Sequence, residues 1–130
     1  YVEMILDTNA LSALAGRDEN LINQLSTSPR ICTTLISLGE YTYGLNGCTP
    51  ARRKLLQAWL DAFLERAEVL SPNRQTIEPY AAVRAELKAA GTPIPANDCW
   101  IAALARQHKL GLLSKDRHFD RVKGIKRYDW

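Results

Sequence analysis

Cysteine and histidine are scarce in this chain of 130 residues. Its three cysteines are Cys32, Cys48 and Cys99, and its two histidines are His108 and His118. The cysteines are odd in number and widely spaced, and they form no CxxC pair, so the sequence indicates neither a disulfide framework nor a zinc knuckle. We expect reduced thiols, as in a cytoplasmic protein.

Long apolar runs are also absent. No stretch approaches the roughly 20 residues that a helix needs to cross a membrane, and no signal peptide precedes the first predicted strand. We therefore expect a cytoplasmic protein with no membrane partner. Hydrophobic residues make up 46% of the chain, enough for a core, and the length predicts one domain over residues 1–130. The formal net charge of +3 permits a polyanionic partner without requiring one.

Short β-type runs alternate with helical patterns along the chain. Strands are predicted over residues 2–6, 31–34, 67–70 and 110–113, with a fifth candidate at 125–128. Helices are predicted over residues 9–15, 18–26, 36–46, 76–90 and 98–109, and from Pro50 along an apolar stripe that runs from Leu55 to Leu64. This alternation is typical of a parallel sheet with helices on both faces, and we expect four or five strands.

Four acids occupy positions that could meet at one edge of such a sheet: Asp7, Glu40, Asp98 and Asp116. Each also has a simpler explanation. Asp7 can cap the helix that follows it, and Asp98 can do the same or face the helix dipole. Asp116 lies in a Ser-Lys-Asp-Arg turn, where Asp is common. A glutamate in mid-helix, such as Glu40, commonly faces water.

Taken together, the four acids favour a shared site. Asp7 and Asp116 follow predicted strands, and Asp98 begins the helix that leads into the second of those strands. In a parallel sheet these positions meet at the carboxyl edge, where α/β proteins bind ligands, and Glu40 joins them if its helix leans over that edge. Clustered carboxylates repel, so either some are protonated or a cation neutralises them. An all-oxygen set suits Mg²⁺ or Mn²⁺ better than Zn²⁺, and such an ion activates water towards a phosphodiester.

Four segments that contain these acids resemble motifs of the PIN-domain nucleases, most closely the VapC-type ribonuclease toxins. The segments are Ile5–Asn9 (ILDTN), Ser37–Gly44 (SLGEYTYG), Asn97–Ala105 (NDCWIAALA) and Leu112–Val122 (LLSKDRHFDRV). They follow one another in the family's order, with family-like spacing, over nearly the whole chain.

The resemblance implies a PIN-like three-layer α/β/α sandwich and a Mg²⁺- or Mn²⁺-dependent endoribonuclease, the toxin of a type II toxin–antitoxin system. It implies that the four acids form the catalytic and metal-binding set. The fourth position varies within the family, so Asp120 is the alternative to Asp116. Thr8, Asn9 and Ser114 match polar positions that support the acids. The resemblance also implies an RNA substrate, a homodimer, and a cognate antitoxin whose tail covers the acidic groove.

Basic side chains accompany the last of these acids. Lys115, Arg117 and Arg121 are candidates for contacts with RNA phosphates, although a basic run is more often a solvated surface. His118 is a candidate proton shuttle, but a surface histidine in a basic turn needs no such role, and we expect the simpler reading. His108 closes a helix, where it is a favourable partner of the helix dipole rather than a ligand.

Two other functions fit parts of the sequence. A phosphorelay receiver domain has a similar length and a Mg²⁺-binding acidic pocket, but it needs paired acids after its first strand and an acceptor aspartate after its third. Here the first strand ends in a single acid, and the third is followed by Ser71–Asn73 (SPN). A PIN-like module that only binds RNA or protein would be favoured by degraded acids, whereas the acids here are intact.

Overall fold

The computed structural model describes residues 3–130, and within them the chain forms five strands and six α-helices. The strands are β1 (Met4–Leu6), β2 (Ile31–Thr34), β3 (Glu68–Leu70), β4 (Gly111–Leu113) and β5 (Arg127–Tyr128). The helices are α1 (Thr8–Ala15), α2 (Glu19–Leu25), α3 (Leu35–Gly44), α4 (Pro50–Leu64), α5 (Ile77–Ala89) and α6 (Ala96–His108). Short 3₁₀ turns cover Leu45–Gly47, Arg74–Thr76 and Arg117–Arg121.

The five strands form one sheet in which every pairing is parallel. Their order is β3-β2-β1-β4-β5, so β1 is the central strand. Leu6 at its end pairs with Thr33 on one side and Leu113 on the other. The predicted parallel sheet is confirmed. A receiver domain is excluded, because its flavodoxin-like order is 2-1-3-4-5.

Helices cover both faces of the sheet and bury two separate apolar layers. Ile5 packs on one face with residues of α5 and α6, whereas Met4 and Leu6 pack on the other with residues of α1 to α4. Because successive side chains of a strand point to opposite faces, a central strand covered on both sides is apolar throughout. This arrangement confirms the predicted three-layer α/β/α sandwich.

The helix starts depend on short-range caps that the sequence displays. The side chain of Asp7 accepts a hydrogen bond from the Ala10 N–H at 3.1 Å and so caps α1. Thr49 caps α4, with Pro50 at the first helical position, where its missing N–H costs nothing. These two predicted starts are confirmed.

Most element boundaries differ from prediction by one or two residues, and two of these differences concern the site. The first strand begins at Met4 rather than at residue 2, which lies outside the described residues. Helix α6 begins at Ala96, two residues early, with Pro95 at its N-cap position. Of the two simpler interpretations of Asp98, the cap is therefore wrong. Asp98 lies within the first turn, where a carboxylate still interacts favourably with the helix dipole.

The apolar stripe of α4 is wider than the surface that the helix buries. Leu55 is 68% exposed, contrary to its predicted place on the packed face, while Trp59, Leu60 and Phe63 contact the core. All three cysteines are free thiols, as predicted. Among the helices of residues 3–130, none combines the length and the apolar character that membrane crossing requires.

Candidate metal centre

Asp7 lies directly after the central strand, and hydrogen bonds of its backbone N–H and of both carboxylate oxygens hold it there. Its backbone N–H donates to the Leu113 carbonyl at 3.3 Å, and Oδ1 accepts from the Ala10 N–H at 3.1 Å. Oδ2 accepts a hydrogen bond from the hydroxyl of Ser114. Only 5% of Asp7 is exposed. The two interpretations of this residue therefore hold together, since it caps α1 and is also the buried member of the acidic cluster.

Ser114 joins the ends of β1 and β4. It is fully buried, and the register that pairs Leu6 with Leu113 brings it beside Asp7. Its Oγ also accepts a hydrogen bond from the Asp116 N–H at 3.0 Å. The convergence that the sequence predicted for Asp7 and Asp116 is thus a consequence of strand register and one buried hydroxyl.

Asp98 and Asp116 meet around an imidazole. Nε2 of His118 lies 2.8 Å from Oδ2 of Asp98, and its Nδ1 lies 2.9 Å from Oδ1 of Asp116. One potential ligand atom from each of these three residues lies within 4.8 Å of the others. The donor chemistry and the close spacing fit a divalent cation.

Glu40 approaches the cluster from α3. Its Oε1 accepts a hydrogen bond from Oγ1 of Thr8 at 3.0 Å, which ties α3 to the start of α1. The negative charge of Glu40 also raises the pKa of Asp98, so the two carboxylates interact. Helix α3 does lean over the edge of the sheet, as the four-acid hypothesis requires.

Loss of solvation and mutual repulsion raise the pKa values of two acids in this cluster. Loss of solvation raises the pKa of Asp7 from 3.8 to about 6, and the charges of Asp116 and Asp98 add to the effect. The hydrogen bonds from Ser114 and Ala10 oppose it. Burial also raises the pKa of Asp98, as do Glu40 and Asp116, against the opposing influence of His118. A bound cation would relieve this repulsion.

The remaining predicted acid and amide occupy different surroundings. Asp120 is not brought to the cluster, because its carboxylate pairs with the Arg127 guanidinium at 2.9 and 3.1 Å. Asn9 accepts a hydrogen bond from the Lys115 N–H at 3.2 Å and thereby supports the loop after β4. Of the two candidates for the fourth acid, Asp116 is the one beside the other acids.

The three residues predicted to contact RNA phosphates differ in whether an acidic side chain already pairs with them. The Lys115 ammonium lies 2.7 Å from Oδ1 of Asp129 and 4.4 Å from the centre of the Trp130 ring. Arg117 and Arg121 are exposed and have no ion pair within residues 3–130. These two arginines are therefore the more available cations.

The sequence predicted a solvent-exposed side chain for His118, and this prediction is wrong. The turn lies at the surface, where Arg117 and Arg121 are exposed, but the side chain of His118 is only 19% exposed and faces the acids. The neighbouring Phe119 and Val122 are buried and hold this turn against the core. That apolar pair, one and four residues after His118, was the available signal in the sequence. His108 ends α6, as predicted, about 15 Å along the helix from Asp98.

The fold and the site define an α/β/α protein with a cluster of carboxylates at the carboxyl edge of a parallel sheet. A family model of the PIN domain matches residues 4–125. The chain belongs to the PIN-domain family, which confirms the resemblance seen in the sequence.

Known relatives of this chain match over almost its full length. The "tRNA(fMet)-specific endonuclease VapC" of Salmonella typhimurium is 32% identical over 133 aligned positions, covering 99% of this chain and 98% of that protein. The crystal structure of DNA-bound VapBC from Salmonella typhimurium superposes with a TM-score of 0.85 at 30% identity, covering 100% and 99% of the two chains. VapBC-1 from nontypeable Haemophilus influenzae superposes with a TM-score of 0.84 at 26% identity, covering 98% and 97%.

Proposed function

We propose that this chain is a divalent-metal-dependent endoribonuclease and the toxin of a VapBC-type toxin–antitoxin pair. The observation that carries the proposal is the convergence of Asp7, Asp98 and Asp116 at one edge of the sheet, with Glu40 beside them. Membership of the PIN-domain family and relatives named as VapC endonucleases or ribonucleases support the same class of reaction.

Within this site, Asp7, Asp98 and Asp116 would hold Mg²⁺ or Mn²⁺, with Glu40 binding directly or through water. When bound, the ion supplies Lewis-acid chemistry for the hydrolysis of a phosphodiester. Ser114 and the Ala10 N–H keep the Asp7 carboxylate from rotating, and Thr8 does the same for Glu40. Such preorganisation matters because ligands that must reorient bind an ion less tightly.

The relatives suggest which RNA and which partner to examine first. The Salmonella relative is named for tRNA(fMet), and we propose this tRNA as a first substrate for the present chain. Two similar structures are VapBC complexes, and we propose a cognate antitoxin that covers the acidic edge, together with a homodimer of the toxin.

A cleavage assay tests the nuclease proposal. The purified chain is incubated with tRNA(fMet) and a panel of other RNAs, with Mg²⁺, with Mn²⁺ or with EDTA, and the products are resolved on denaturing gels. We expect cleavage only with a divalent ion, leaving a 5′-phosphate and a 3′-hydroxyl. Asp98→Asn should lower the rate at least about 100-fold, since a metal site contributes several kcal/mol to transition-state stabilisation.

The matched control is Asp18→Asn. Asp18 caps α2 through the Leu21 N–H much as Asp7 caps α1, but it lies outside the acidic cluster. This variant should cleave like the wild type. Cleavage that persists in EDTA, or full activity of both Asp7→Asn and Asp98→Asn, would contradict the proposal. RNA binding without any cleavage would favour a module that only binds.

A further inference from the structure

We propose that His118 is itself a ligand of the divalent cation, through Nε2, beside Asp98. This inference rests on the proposed metal site and deepens it. It introduces a nitrogen into a ligand set that the sequence predicts to be all oxygen, and it changes which ion the site prefers.

Packing against Phe119 holds the His118 imidazole beside the acids. His118 lies in the 3₁₀ turn Arg117–Arg121, next to Phe119, whose ring is 1% exposed. The two rings are tilted against each other with centroids 4.7 Å apart. With only 19% of its side chain exposed, His118 has little freedom to leave the acids for solvent.

One potential ligand atom from each of His118, Asp98 and Asp116 lies within 4.8 Å of the others. Nε2 of His118 is buried and faces Oδ2 of Asp98 at 2.8 Å. In the metal-free chain this carboxylate is the partner of the nitrogen, and a cation bound by both atoms would replace that contact. Two ligand atoms bound at right angles to one ion, each at 2.0–2.1 Å, lie about 3 Å apart. The spacing of Nε2 and Oδ2 fits two neighbouring ligands of a shared cation.

The other ring nitrogen has the partner that a ligating histidine usually has. Nδ1 of His118 lies 2.9 Å from Oδ1 of Asp116. Metal-binding histidines commonly direct their second nitrogen at a carboxylate, which selects the tautomer and orients the ring. Asp116 therefore positions the imidazole so that Nε2 faces Asp98, in addition to any contact of its own with the ion.

A mixed set of ligands predicts a preference among ions. Carboxylates suit both Mg²⁺ and Mn²⁺, whereas imidazole suits transition metals. We expect the chain to bind Mn²⁺ more tightly than Mg²⁺, and we expect that difference to depend on His118.

Pulsed electron paramagnetic resonance of bound Mn²⁺ tests this directly, because it detects nitrogen nuclei bonded to the ion. The chain has only two histidines, so His108→Gln leaves His118 as its sole imidazole. The wild type and His108→Gln should show histidine nitrogen coupling, and His118→Gln should lose it. In calorimetric titrations the Mn²⁺ affinity of His118→Gln should fall at least about tenfold, and its Mg²⁺ affinity less.

Selective ¹⁵N-histidine labelling of the His108→Gln chain removes any dependence on the folding of His118→Gln. The label should convert the coupling from ¹⁴N to ¹⁵N. Coupling unchanged by the label would overturn the proposal, as would nitrogen coupling that is absent from Mn²⁺-loaded wild type. Mn²⁺ affinity that rises in a folded His118→Gln would also overturn it, because the imidazole would then compete with the ion. Wild type that binds no divalent ion would instead contradict the proposed metal-dependent function.

Discussion

Asp7 combines two roles that act in opposite directions on its charge. As the cap of α1 it accepts a hydrogen bond, which favours the carboxylate, whereas its burial favours the neutral acid. Burial is the larger influence, since the pKa rises from 3.8 to about 6. The folded chain therefore holds this proton more tightly than the unfolded chain does.

The raised pKa of Asp7 predicts a pH-dependent gain in stability for Asp7→Asn in the metal-free protein. The contribution of Asp7 is most favourable below pH 4 and is lost as pH rises through about 6. A shift of about two pKa units corresponds to about 3 kcal/mol. Asn retains a cap acceptor and carries no charge. In EDTA at pH 8, Asp7→Asn should therefore raise the free energy of unfolding by up to about 3 kcal/mol, with no gain at pH 4.

Urea denaturation at both pH values measures this difference, and Asp18→Asn isolates the contribution of capping alone. An equal gain for Asp7→Asn at pH 4 and pH 8 would show that the buried charge is not its source. Saturating Mn²⁺ should reverse the ranking, because the wild type alone keeps the full ligand.

The role of a single residue could be predicted from the sequence where that role depends on residues close to it in the chain. Asp7 follows an apolar run and precedes a helix, and both its cap and its place at the sheet edge follow from that position. His118 depends on Asp98, twenty residues earlier in the chain, and the sequence around it displays mainly basic side chains. The choice between Asp116 and Asp120 was open for the same reason, because Asp120 is held away from the acids by Arg127 of β5.

Among the elements, the packing of the short strand β5 against β4 requires a glycine at position 111. A Cβ added at Gly111 of β4 would lie 2.7 Å from the Tyr128 ring and 3.4 Å from Cγ of Met4. Strand β5 also carries Arg127, whose Nη1 donates to the Ser114 carbonyl at 3.0 Å. Packing at Gly111 thus connects the edge of the sheet to the loop that holds Asp116.

We therefore expect Gly111→Ala to destabilise the fold by about 1–3 kcal/mol, the usual cost of overpacking. Gly39→Ala is the comparison, because Gly39 lies within α3 and an added Cβ there meets nothing within 4 Å. That substitution should stabilise the helix by about 0.5–1 kcal/mol. Chemical unfolding of both variants gives the two signs. A neutral Gly111→Ala would mean that the Tyr128 ring moves aside without cost.

Across the whole molecule, the basic side chains near the acidic edge differ in whether a carboxylate already neutralises them. The net charge is +3, yet Lys115 is already paired with Asp129, whereas Arg117 and Arg121 have no ion pair within the described chain. Because phosphate contacts release counterions, free arginines near the site should dominate the salt dependence of RNA binding.

Arg117→Gln should lower the slope of log affinity against log salt by about one, and Lys115→Gln should lower it less. Binding of tRNA(fMet) in EDTA, measured at several salt concentrations, checks this without cleavage. Lys109→Gln is the matched control, since Lys109 precedes β4 and so lies at the opposite edge of the sheet. An equal change in the Lys109→Gln variant would indicate diffuse attraction instead of docking at the acidic edge.

The sequence by itself determined the succession of strands and helices, the caps at Asp7 and Thr49, and the placing of acids at strand ends. These features depend on periodicity and on contacts within a few residues. Only the tertiary structure decided that β1 is central, that Leu55 faces solvent, that Asp116 rather than Asp120 joins the cluster, and that His118 lies between two carboxylates. Those outcomes depend on which strands pair and which side chains meet through space, and residues distant in sequence decide both.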